Sequence, residues 1–213
     1  SQVGFLRIQA DPSSHFDKVK PMQTVRSFAT ITTLLACSAW ALAPATAHAQ
    51  VVKVGLMLPF TGTYASLGTA IENGFKLYLD EHGGKLGGAA VAFHRVDDES
   101  DPAKGIENAT KLARRDKVDV LVGTVHSGVV MALAKVAKET NTLLIVPNAG
   151  ADAITGPLCA PNIFRVSYSN WQPSYAIGLA AADNRYKTAV TVTWKYAAGD
   201  ESAKGFKDAF ESK

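Results

Sequence analysis

The chain has 213 residues, with 22 Lys and Arg against 19 Asp and Glu, a formal charge of +3 and a hydrophobic share of 47%. Residues 1–49 hold four of the basic and two of the acidic side chains, which leaves 18 basic and 17 acidic residues in the remainder. So balanced a remainder has no basic stripe for gripping phosphates, which argues against a nucleic-acid partner. The spacing of Cys and His matches no metal site.

Residues 1–21 precede the first methionine, Met22, show no periodicity and are expected to be an upstream extension outside the mature protein. Met22 to Ala49 has the parts of a signal peptide: Arg26 as a positive start, an apolar stretch from Phe28 to Leu42, and Ala47-His48-Ala49 as a cleavage signal before Gln50. The apolar stretch is short for a membrane span and Pro44 closes it, which disfavours an anchor. Leu34-Leu35-Ala36-Cys37 resembles a lipobox, so a lipoprotein remains the alternative. Cys159 is then the one cysteine of the exported part, either a buried thiol or half of a disulfide made elsewhere.

From Val51 the elements alternate. VVKVGLML (51–58) is β-branched and apolar on both faces, as a buried parallel strand requires. Ile71, Phe75, Tyr78 and Leu79 then recur at helical spacing, with Glu72, Asn73, Lys76 and Asp80 on the other side. HGGKLGG reads as a turn and AVAFHRV (90–96) as a strand. Asp101 is placed as N-cap and Pro102 as first residue of a helix whose inner face is Ile106, Ala109, Leu112 and Ala113.

VDVLVG (118–123) and LLIVP (143–147) flank a helix with Val130, Leu133, Ala134 and Ala137 inside. FRVS (164–167), a helix opening near Gln172-Pro173, the strand TAVTVTW (188–194) and a helix with Phe206, Ala209 and Phe210 complete the series. This alternation implies βαβ units, right-handed crossovers and a parallel sheet: an α/β fold.

Ligands of such sheets bind outside the carboxyl ends of the strands. The loops to search are therefore 59–68, 97–101, 124–128, 147–152 and 195–200. No GxGxxG follows the first strand and GxxxxGK[ST] is absent, which removes the usual nucleotide motifs. His126-Ser127 invites a hydrolytic reading. Neighbouring strand residues point to opposite faces, however, and no GxSxG elbow surrounds the serine. Ser127 is better placed as the N-cap of the following helix, whose exposed N–H groups suit an anion. Asn148, Gly150 and Asp152 follow the next strand, where Gly150 leaves room for close approach to the backbone.

Five segments in this order, LMLPFTGTYASLG, VGTVHSGV, IVPNAGADAIT, IFRVSYSNWQPS and WKYAAGDESAKGF, resemble the periplasmic substrate-binding proteins of branched-chain amino-acid ABC transporters. The resemblance implies a type I periplasmic binding fold, in which two lobes of doubly wound parallel sheet close on a ligand. Residues 50–168 would form the first segment of lobe 1 and 169–213 the start of a truncated lobe 2. It implies that His126, Ser127, Gly128, Asn148, Ala149 and Gly150 hold a ligand carboxylate, that Tyr196 contributes from lobe 2, and that Tyr64 borders the cleft.

The ligand would be an amino acid or a small or aromatic carboxylate, and the partner an ABC permease in the inner membrane. No cofactor, metal or catalytic residue is expected, and the location would be periplasmic. A ligand-sensing domain of a regulator or receptor, or an exported enzyme, are the rival readings. Tyr168 and Trp171 are expected to pack at the lobe crossover, and Asp97-Asp98-Glu99 to form a solvated loop. Asn108-Ala109-Thr110 fits a glycosylation sequon that the bacterial-looking leader makes incidental. With part of a lobe uncovered, residues 50–213 alone are expected to be poorly soluble.

Overall fold

Hydrophobic residues of alternating helices and strands meet here on both faces of one sheet. The computed structural model describes residues 51–213; the upstream extension, the signal peptide and the lipobox lie outside the described residues. Strand β1 (Val51–Leu58) is buried from Val54 onward, as expected of a strand covered on both faces. Helix α1 (Ala65–Glu81) follows, then the two-residue strand β2 (Lys85–Leu86) within the glycine-rich turn, and β3 (Ala89–Asp97). Helix α2 (Pro102–Thr110) continues as a wider turn through Arg115, and β4 (Val120–Val122) leads to α3 (Ser127–Thr140). Strands β5 (Leu143–Val146) and β6 (Ile163–Arg165) and helices α4 (Trp171–Asp183) and α5 (Ala197–Phe210) complete the chain.

The sheet order is β2-β3-β1-β4-β5-β6, parallel except where β2 runs against β3. After β1 the chain steps to β3 on one side and then returns to β4 on the other. The loops leaving the carboxyl ends of β1 and β4 therefore part toward opposite faces and open a crevice between them. Val54, Leu56, Leu58 and Val122 pack against Phe60, Ile71 and Phe75 on the α1 face. Met57, Leu121 and Leu144 pack with Leu112, Val129, Val130 and Leu133 on the face covered by α2 and α3. Asp101 caps α2 as expected, its carboxylate accepting from the Ala103 N–H at 2.7 Å.

Several helix faces differ from the expected ones. Glu72, assigned to the outer side of α1, is buried and binds Arg95 Nε at 3.0 Å and Lys76 Nζ at 2.9 Å. Arg95 also lies 3.4 Å over the Phe60 ring, so the pair seals the rim of the sheet. Tyr78 and Ile106 are exposed; Tyr78 stacks on His82, and Gly105 replaces Ile106 against α3. Cys159 is exposed and unpaired among the described residues, which excludes the buried thiol of the two expected alternatives.

The strand expected at 188–194 is absent. Its alternation of apolar residues is intact, but no described strand pairs with it, and Val190 and Val192 remain 90% and 92% exposed. A single strand cannot form its ladder. Helices α4 and α5 pack closely beside it, and a Cβ on Gly178 would lie 2.4 Å from the Phe206 carbonyl oxygen. Among the described residues no helix is long and apolar enough to cross a membrane.

Candidate ligand-binding site

The crevice at the carboxyl ends of β1, β4 and β5 is built first by two aspartates. Asp97, at the end of β3, accepts from the Phe60 N–H at 2.9 Å, the Thr61 hydroxyl at 2.7 Å and the Glu99 N–H at 2.9 Å. Burial draws its carboxyl upward, but these donors outweigh it and hold the pKa below the usual range. Asp98 is fully buried and accepts from the Ser100 N–H at 2.8 Å and from the Thr124 hydroxyl. Burial raises its pKa, against the hydrogen bonds. The loop expected to be solvated is thus the bracket joining the turns after β1, β3 and β4, because its carboxylates serve donors that those turns leave unpaired.

His126, not Ser127, caps α3. Its backbone is extended and its Nδ1 accepts from the Gly128 N–H at 3.1 Å, which requires an unprotonated nitrogen there. Burial lowers the His126 pKa, and the charge of Asp98 opposes that shift. The His126 carbonyl takes the N–H groups of Val129 and Val130. Of the amides expected to be open at this helix start, three are therefore occupied. The Ser127 N–H has no partner among the described residues. Ser127 is buried, and its hydroxyl oxygen accepts from Asn170 Nδ2 at 3.2 Å. The serine is thus paired with an amide and not with His126, which removes the geometry a hydrolytic pair needs.

After β5, the Ala149 N–H is bonded to the Thr124 carbonyl at 3.0 Å and the residue is buried, so Ala149 ties two loops together. The Gly150 carbonyl accepts from the Asn170 N–H at 2.8 Å. A Cβ on Gly150 would lie 2.4 Å from Asn170 Oδ1, so glycine is required for this approach. Asn148 lines the hollow beside them.

Aromatic side chains close the other wall. Tyr196 precedes α5 in extended conformation, stacks on the His126 ring at 4.8 Å, and its hydroxyl lies 3.4 Å from that of Tyr64. Burial, and then the contact with Tyr64, pushes the Tyr196 pKa up to about 12. Trp194 meets Tyr64 edge-on at 6.4 Å. Two adjoining cavities result and share Tyr64 and Tyr196. One, of about 400 Å³, reaches Glu99, Ser100, His126 and Trp194. The other, of about 200 Å³, reaches Ser127, Asn148, Gly150, Tyr168 and Asn170. Ala198 also lines the smaller one, so the beginnings of α3 and α5 both face it.

Tyr64, His126, Ser127, Asn148, Gly150 and Tyr196 are therefore brought together; Gly128 and Ala149 stand behind them with their amides in use. Asn170, Glu201 and Trp194 join the site without having been singled out, and Asp98 does so against the expectation of a solvated loop. Asn170 lies inside the SNWQPS segment, where the aromatic residues drew attention, and Glu201 lies one turn inside α5 with no spacing to mark it. Tyr168, expected as packing, is 64% exposed at the mouth, and Trp171 stacks on Tyr175 at 4.3 Å. A larger hollow of about 550 Å³ between residues 187–191 and α5 lies away from the strand ends. No three His, Cys, Asp or Glu among the described residues are grouped to hold a metal.

Fold and site together describe an α/β protein with a crevice at the switch point of a parallel sheet, bordered by two helix beginnings and a wall of aromatic rings. The model of the periplasmic binding protein family matches residues 51–213, and the chain belongs to that family. A Leu/Ile/Val-binding protein homolog 6 of Brucella abortus (strain 2308) is 33% identical over 178 residues, 83% of this chain and 45% of the relative. A solute binding protein of an ABC transporter from R. palustris, solved in complex with benzoate, is 55% identical with a TM-score of 0.74, over 76% of this chain and 45% of that one.

Another, from Rhodopseudomonas palustris BisB5 in complex with 3,4-dihydroxy benzoic acid, is 35% identical with a TM-score of 0.71, over 76% and 44%. These similarities identify the type I periplasmic binding fold and the branched-chain amino-acid type expected from the five segments. The chain spans less than half the length of the relatives it matches.

Proposed function

We propose that the chain is part of the extracytoplasmic solute-binding component of an ABC importer, which holds a small carboxylate in the periplasm and passes it unchanged to an inner-membrane permease. Residues 50–168 then belong to one lobe and 169–213 open the second, with the ligand between them. The ligand is an aromatic acid of the benzoate class in preference to a branched-chain amino acid.

The observation that carries this reading is a pair of adjoining cavities, sharing Tyr64 and Tyr196, that carry two kinds of chemistry. Ser127 offers a free N–H and a hydroxyl at the start of α3, which favour a carboxylate. Tyr64 and Tyr196, shared by both cavities, and His126 and Trp194 in the larger one offer ring faces and edges, which favour a flat apolar body. Among the described residues, the carboxylates near the cavity are engaged: Glu99 with Lys104, Glu201 with Asn170 and Asp152, and Asp98 with Thr124. None of these carboxylates is without a hydrogen-bonding or ionic partner already. The benzoate and dihydroxybenzoate complexes of the similar proteins support the same choice.

Calorimetric titration of the full-length protein with benzoate and with leucine tests it. Benzoate is expected to bind and leucine to bind at least about tenfold more weakly, a difference of about 1.4 kcal/mol. Tighter binding of leucine, or none of either, contradicts the assignment.

A further inference from the structure

Asn170 occupies the point where three parts of the site meet. Its backbone N–H reaches the Gly150 carbonyl at 2.8 Å, and its Nδ2 reaches both Ser127 Oγ at 3.2 Å and Glu201 Oε2 at 2.7 Å. Glu201, on α5, also accepts from the Asp152 N–H at 3.2 Å. A carboxylate can only accept. The end of the Asn170 carboxamide that faces Glu201 must therefore be the NH2 end, and its second hydrogen is left for the Ser127 oxygen. That oxygen then has a lone pair occupied from the Asn170 side, so the hydroxyl proton is turned away from Asn170 and free to be donated in the cavity that Ser127 lines.

We propose that Glu201 and Asn170 are positioning residues: they fix the Ser127 hydroxyl as a hydrogen-bond donor to the ligand and so select a carboxylate over its neutral amide. The inference rests on the carboxylate-binding reading above and adds the residues that enforce it. Without an acceptor-only partner at 201, the Asn170 carboxamide can turn over. Its oxygen would then draw the Ser127 proton, and the serine would present lone pairs to the ligand. A carboxylate is repelled by that arrangement, whereas an amide NH2 is welcomed.

The test compares benzoate with benzamide by calorimetry on the full-length wild type, Glu201→Gln and Glu201→Asp. In Glu201→Gln benzoate affinity is expected to fall about tenfold, the usual size of a hydrogen bond to a charged group, with benzamide unchanged or tighter. Glu201→Asp, which keeps an acceptor-only group, is expected to restore most of the preference.

A second measurement needs no ligand: melting of Glu201→Gln, Ser127→Ala and the double variant. Residues 127 and 201 touch through Asn170, so the shifts are expected to be non-additive. Equal weakening of both ligands, or additive melting shifts, would overturn the relay. Non-additive melting in a protein that binds no benzoate would sink the transport reading and leave the relay standing.

Discussion

Gly150→Ala perturbs the junction at its tightest place. The new methyl carbon would lie 2.4 Å from Asn170 Oδ1 and 2.9 Å from Asn170 N. Ordinary contact begins near 3.4 Å, so the carboxamide has to retreat by about 1 Å. A move of that size breaks the 3.2 Å bond from Asn170 Nδ2 to Ser127 Oγ, and the backbone nitrogen has to give by about 0.5 Å, which lengthens its 2.8 Å bond to the Gly150 carbonyl. Overpacking costs about 1–3 kcal/mol and a lost hydrogen bond about 1 kcal/mol, so the expected loss of stability is about 2–4 kcal/mol.

Urea denaturation of the full-length protein measures it, read from the midpoint at unchanged slope. Adding Asn170→Ala removes the nearer clash, so the double variant should regain part of the loss relative to an additive sum. A Gly150→Ala protein within about 0.5 kcal/mol of wild type would refute the packing described for this junction.

His126→Asn is expected to flatten the acid side of the stability profile. The folded pKa of His126 lies below its ordinary 6.5, so the unprotonated ring stabilises the fold above that value and the benefit is lost as pH falls through the folded pKa. Asparagine keeps an acceptor for the Gly128 N–H and does not titrate, so the difference between the two proteins reports the histidine together with its charge coupling to Asp98, whose raised pKa slopes the opposite way. Equal slopes for variant and wild type between pH 7 and 5, roughly the histidine window, would remove His126 as a cap. Residues 51–213 alone are expected to bind a hydrophobic dye, because Val190, Val192 and Trp194 are largely exposed. A sharp cooperative melt without dye binding would show instead that this segment covers itself.

Much of the fold could be read from hydrophobic periodicity, since β1 from Val54 onward and α3 bury the residues that their patterns assign inward. What failed depended on partners distant in sequence. Glu72 looks like an outer residue until Arg95 arrives from β3, and Ile106 looks like a core residue until Gly105 is seen against Val129. The segment 188–194 has a strand's alternation, but a strand exists only when another lies beside it.

The site divides in the same way. Loops at the carboxyl ends of strands follow from the fold class, and so do His126, Ser127 and Gly150 as neighbours of one crevice. Which atom caps α3 depends on a ring nitrogen competing with a hydroxyl for one N–H, and the serine lost because Asn170 holds it from the other side. Asn170 and Glu201 could not be found by spacing, being 31 residues apart and joined only where α5 packs beside the loop between β6 and α4.

Titration of benzoate into the full-length wild type and Ser127→Ala most directly tests whether the start of α3 grips the carboxylate. A loss of about tenfold or more in the folded variant is expected from a hydrogen bond to a charged group. Equal affinity in both proteins would mean that the ligand is held elsewhere.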